Sequence, residues 1–122
     1  MHPALQRRVS EVDTGERAVI ATEPDGRIVY WNERAELLYG WTAGEAIGKD
    51  IVEVTPGELA LSEANEIMNA LNRGQPWSGE FLVRAKNGAR FTVHVTDMPV
   101  LDEDRNLLGI VGISRRVVYL NE

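Results

Sequence analysis

The sequence contains no cysteine. That removes disulfides, thiolate zinc sites, iron–sulfur clusters and cysteine nucleophiles together. It has no apolar run near the roughly 18 residues that a transmembrane helix needs. Its opening residues, Met1-His2-Pro3-Ala4-Leu5-Gln6-Arg7-Arg8, do not lead into the apolar stretch of a secretory signal, so a cytoplasmic protein is expected. Positive charge is scarce. Thirteen Lys and Arg stand against nineteen Asp and Glu, and the net charge of -6 opposes nucleic acid or an anionic membrane as partner. Gly-x-Gly-x-x-Gly, Walker A and Gly-x-Ser-x-Gly sequences are all missing, so phosphate cradling and a serine hydrolase lose their support. What remains is 122 residues, 43% hydrophobic and 26% charged, which suits one domain with one modest core.

Along the chain, residues 1–16 stand apart from 17–118, and 119–122 form a tail or connector. Leu5, Val9 and Val12 lie at i, i+4 and i+7 among polar residues, the stripe of a short amphipathic helix that needs a surface to pack on. Ala18–Thr22 and Ile28–Trp31 read as strands around a Pro24-Asp25-Gly26 turn. Asn32 caps a helix stopped by Gly40, and Thr42 with Glu45 forms a capping box for a further turn or two. Thr55-Pro56-Gly57-Glu58 predicts the start of a longer helix reaching about Asn72. Three strands follow: Trp77–Ala85, Arg90–Leu101 and Leu107–Val118. Asn87-Gly88 marks the first turn between them and Glu103–Asn106 the second.

Two early and three late strands around a helical insert predict an α+β fold, an antiparallel sheet with helices over one face. The final strand is apolar on both sides, with Val111 and Ile113 on one and Ile110, Gly112 and Ser114 on the other. Its outer face therefore needs cover, from the N-terminal helix, a partner subunit or both.

These residues resemble a PAS domain from about Arg17 to Ser114. The marks are Asp25-Gly26-Arg27-Ile28-Val29-Tyr30-Trp31-Asn32, Leu38-Tyr39-Gly40-Trp41 and Ala46-Ile47-Gly48-Lys49. They continue with Trp77-Ser78-Gly79-Glu80, Lys86-Asn87-Gly88, Pro99-Val100-Leu101-Asp102 and Leu108-Gly109-Ile110-Val111-Gly112-Ile113-Ser114. The resemblance implies a five-stranded sheet of order 2-1-5-4-3 enclosing a small chamber. It also implies a sensor and dimerisation module of the kind used in bacterial two-component-like signalling, attached to or partnered by an output domain. Three departures matter. Lys49-Asp50-Ile51-Val52-Glu53 lacks the flavin-attacking cysteine of light-sensing LOV relatives. Residues 58–72 lack the histidine that haem-binding relatives usually supply. Arg116-Val117-Val118 replaces the Asp-Ile-Thr-like coupling motif.

No catalytic arrangement emerges, and the chain is not expected to be an enzyme. His94 points outward by strand alternation, opposite to Phe91, Val93 and Val95, and no serine has a neighbouring base. The candidate ligand site is the chamber. Its expected strand residues are Ile20, Thr22, Phe81, Val83, Val93, Val95, Asp97, Ile110, Gly112 and Ser114; its helix residues are Leu38, Ile47, Ile51, Ala64, Ile67, Met68 and Leu71. A turn near residue 104 places Asp97 opposite Gly112 and predicts that Thr22, Ser114 and Asp97 are neighbours at one end. A carboxylate there must be hydrated, hydrogen-bonded or bound to something. No cofactor is expected, and a small organic ligand is the candidate occupant. Trp77, Gly79 and Glu80 are expected to serve the fold. A homodimer is expected through Leu5, Val9, Val12, Val111 and Ile113. The competing readings are a purely structural interaction module and a non-covalent flavin or haem sensor.

Overall fold

The computed structural model describes residues 1–57 and 61–119. In chain order the elements are α1 (Pro3–Val12), β1 (Ala18–Thr22), β2 (Ile28–Trp31), α2 (Glu33–Tyr39), α3 (Ala43–Ala46), α4 (Ile51–Val54), α5 (Leu61–Asn72), β3 (Trp77–Arg84), β4 (Arg90–Leu101) and β5 (Leu107–Arg116). All strands pair antiparallel in one sheet of order β2-β1-β5-β4-β3, as the resemblance implied. No helix among the described residues is long and apolar enough to cross a membrane.

Local chemistry sets most boundaries. Asn32 caps α2 by accepting from the Ala35 N–H, and Gly40 ends it in the left-handed region at φ 81°. Thr42 and Glu45 complete their capping box on α3. Asp50 caps α4, a single turn absent from the sequence reading.

The expected helix start at Thr55 is not formed. Thr55 ends α4 instead, its hydroxyl donating to the Ile51 carbonyl. The Pro56 carbonyl accepts from the Arg84 N–H, and Gly57 bridges to Val83, so the chain here is an extra strand-like contact on β3. Sheet hydrogen bonds outweigh a local capping signal. Glu58 lies outside the described residues, and α5 ends at Asn72 as expected. Similarly, β5 stops at Arg116 rather than Val118.

Two apolar layers sandwich the sheet. On the inner face Ala18, Ile20, Phe91 and Val93 pack with Trp31, Ala35, Tyr39, Ala46 and Val54. On the outer face Leu5 and Val9 of α1 pack on Val19, Ala21, Val100 and Val111. The helix that needed a surface and the surface that needed cover satisfy each other within one chain. Burying Leu5 and Val9, 1% and 4% exposed, is worth about 1.5–3 kcal/mol each. Gly109 makes the approach feasible, since a Cβ there would lie 2.7 Å from both Leu5 Cδ2 and the Thr22 carbonyl.

Past α1, Asp13 fastens the segment to the sheet. Its carboxylate accepts from Tyr30 Oη, from Asn32 Nδ2 at 3.0 Å and from the Gly15 N–H at 3.0 Å. Burial pushes this carboxyl up, but the bonds from Tyr30, Asn32 and Gly15 outweigh it and hold the group low. Asn32 is therefore more than a cap: its Nδ2 also donates to the Arg17 carbonyl, and its Oδ1 accepts from the Val19 N–H.

Candidate functional site

Strand register fixes which side chains share the inner face, because directly opposed residues of antiparallel strands point the same way. One row crosses the whole sheet: Trp31, Ile20, Gly112, Asp97 and Trp77. The next row on one side holds Ala18, Ser114, Val95 and Gly79, and the next on the other holds Thr22, Ile110 and Pro99. Asp97 does stand opposite Gly112. Thr22 and Ser114, however, fall in rows on either side of it, so the three polar groups do not gather at one end. Strand spacing separates alternate residues of β5 by nearly 7 Å, which puts Ile110 and Ser114 about 13 Å apart.

The inner face divides into a dry part and an accessible part. Ile20, Val83, Phe91 and Val93 are buried, whereas Trp77, Phe81, Val95, Asp97, Ile110 and Gly112 keep part of their surface. Helix α5 lies against β3, β4 and β5. The chain meets Val83 through Gly57 before the helix, and a Cβ on Gly74 just after it would reach Leu101 Cδ1 at 2.8 Å. The segment therefore spans the rows between, with Ala64, Ile67 and Met68 half-buried and only Leu71 fully so. Close packing would have buried both surfaces. Here both surfaces stay partly exposed.

Two glycines shape the inner face. A Cβ on Gly112 would lie 2.8 Å from Asp97 Oδ1, so the carboxylate leans over the central strand into space that a side chain would have filled. A Cβ on Gly79 would lie 2.6 Å from the Trp77 ring, which therefore folds flat along β3, its centroid 6.2 Å from that of Phe81. The aromatic pair lies along β3, directly across from β4, while the Asp97 carboxylate leans the other way, over β5. Trp77, expected to serve the fold, lies partly exposed on the inner face; Glu80 faces out and accepts from Tyr119 Oη.

Asp97 is pushed up to about 6 by burial. Among the described residues, no side chain donates to it or pairs with it. Arg116 stacks over the Phe91 ring at 5.1 Å, on the Val93 row two rows from Asp97. The nearest polar pair is Tyr39 Oη and Ser114 Oγ, buried and 2.9 Å apart. Burial and the Asp97 charge push Tyr39 up to about 12, against the opposing effect of the Ser114 bond.

Tyr39 was missed as a site residue, with Leu38 in its place. Leu38 and Tyr39 follow Ala35 by three and four residues, so helical spacing admits either, and the structure buries Tyr39 with Ala35. Leu38 sits at the edge of the core and lines a separate surface cleft of about 410 Å³ with Leu37, Gly40, Ala85, Lys86 and Asn87. Ile47 is 47% exposed at the end of α3 and does not line the chamber. Ile51 packs on the dry part. Of the residues named for an interface, Leu5, Val9 and Val111 are buried within the chain, while Val12 and Ile113 keep part of their surface. His94 does face outward, 3.2 Å from Ser78 Oγ, and His2 caps α1.

The description "PAS fold" matches residues 6–117. Human high affinity cAMP-specific and IBMX-insensitive 3',5'-cyclic phosphodiesterase 8A is 29% identical over 85% of this chain and 12% of its own length. The methanogenesis regulatory histidine kinase FilI of Methanothrix harundinacea is 25% identical over 91% of this chain and 12% of its own. The chain thus spans only a small part of the curated relatives it matches. Among solved structures, a PAS domain from Colwellia psychrerythraea superposes with a TM-score of 0.72 at 25% identity, covering 93% of this chain and 96% of that one. A LOV protein of Rhodobacter sphaeroides reaches 0.79 at 16% identity over 96% and 69%, a likeness of fold.

Proposed function

The chain belongs to the PAS family, and on that premise we propose that it holds a small organic ligand between α5 and the sheet and signals through its occupancy. The observation that carries the reading is the accessible inner face beneath α5, with a lone carboxylate in it. Apolar walls with few convergent polar groups suit a small-molecule site. Neither histidine faces the chamber and no cysteine exists, so the residues present do not fit haem ligation or covalent flavin chemistry.

The reading includes a homodimer and an output partner. Because α1 already covers the outer face, a dimer there rests on the exposed side of α1 with Val12 and Ile113, and Leu5, Val9 and Val111 support it from below. The kinase and the phosphodiesterase among the relatives are far longer, which suits a module that reports to another domain.

Native mass spectrometry of the purified protein tests the ligand. A discrete extra mass that leaves on mild activation is expected. Apoprotein alone, unchanged by added small molecules, would instead favour a structural interaction module.

A further inference from the structure

The chamber that the proposed function relies on is selective by charge, and we propose that its ligand is a small organic cation, an aromatic amine or amidine. The cationic group pairs with Asp97 and the apolar body lies on the Trp77–Phe81 wall.

The inference starts from what surrounds the carboxylate. Asp97 sits mid-sheet, leaning over Gly112, with no donor or cation on it among the described residues. Helix α5, Leu61–Asn72, contains no Lys or Arg, so it brings no counter-ion. The only cation on the inner face of β5 is Arg116, held on the Phe91 ring away from Asp97. An anionic ligand would meet an unpaired, half-buried carboxylate and be repelled; a cation would relieve its isolation.

The neighbouring wall points the same way. The Trp77 ring lies against Gly79, on the strand that pairs Trp77 directly with Asp97. An aromatic wall one strand away from a lone carboxylate suits a cation carrying an apolar body that spans the gap.

The test compares 2-phenylethylamine and benzamidine with phenylacetate and neutral 2-phenylethanol, by calorimetry at pH 7.5 on the wild type, Asp97→Asn and Trp77→Leu. The amines should bind the wild type. Asp97→Asn should weaken them about tenfold or more, as expected for a lost charge-assisted hydrogen bond. Trp77→Leu should weaken them less, and phenylacetate should not bind the wild type. Asp97→Asn fills nearly the same volume without charge, so its melting temperature reports folding independently. Equal amine affinity for wild type and Asp97→Asn, or phenylacetate binding the wild type as well as the amines, overturns the cation assignment and leaves the chamber standing. If no probe of any charge binds the wild type, both readings fall.

Discussion

Replacing Asp97 by Asn should stabilise the ligand-free protein at neutral pH and leave it nearly unchanged in acid. The carboxyl rises from 3.8 to about 6 on folding because burial disfavours its charge. Between those values the folded state holds a proton that the unfolded state has lost, so this group's contribution to stability falls as pH rises. The loss begins near the unfolded value, is complete above the folded one, and amounts to about 3 kcal/mol. Other groups bear on the raw profile. Tyr39 feels the same charge, Arg116 lies two rows off, Glu63 and Glu66 sit exposed on α5, and Asp13 is held low. The quantity to measure is therefore the difference between variant and wild type in urea unfolding, taken from pH 4 to pH 8. It should be close to zero at pH 4 and grow towards about 3 kcal/mol above pH 6, equivalent to roughly 10 °C in melting temperature for a domain of this size. A difference that stays flat across this range would refute the claim that Asp97 is buried without a partner.

Gly109→Ala places a methyl against Leu5 and the Thr22 carbonyl, and should cost about 1–3 kcal/mol and loosen α1, seen as faster proteolysis near residues 1–16 while the sheet stays intact. Tyr39→Phe strands the buried Ser114 hydroxyl and should cost about 1–3 kcal/mol; the double variant with Ser114→Ala should cost less than the two single changes added, measured by denaturant unfolding. Asp13 is held low, so its contribution is present above the unfolded carboxylate value and lost as pH falls through the folded one; protection factors of the α1 amides, corrected for intrinsic exchange, should drop in acid, and Asp13→Ala should show the lowered protection already at pH 7. Lys86→Ala, by contrast, should change stability by no more than about 1 kcal/mol, because its partner Glu45 is at the surface.

Much of the architecture is readable along the chain, since it depends on neighbours a few residues apart. Asn32 as cap, the Thr42–Glu45 box, Asn87-Gly88 as turn and strand alternation through β4 and β5 all act locally. Alternation and turn position even placed Asp97 across from Gly112. Reading failed where a distant partner outbid a local signal. Thr55 has a good capping sequence, but Pro56 and Gly57 gain sheet contacts with Arg84 and Val83. Tyr39 and Leu38 are adjacent on α2, and only the position of the sheet decides which turns inward.

The same division holds for the site. The sequence by itself determined that Asp97 shares a face with Gly112, that residues 58–72 carry no histidine and that no thiol is present, because composition and face alternation are properties of the chain. Tertiary structure alone decided that α1 packs over Leu5's side of the sheet, that Gly109 and Gly112 open space on opposite faces of one strand, and that Arg116 turns to Phe91. Those outcomes depend on which surfaces meet across the sheet, and excluded volume and desolvation act only once they have met.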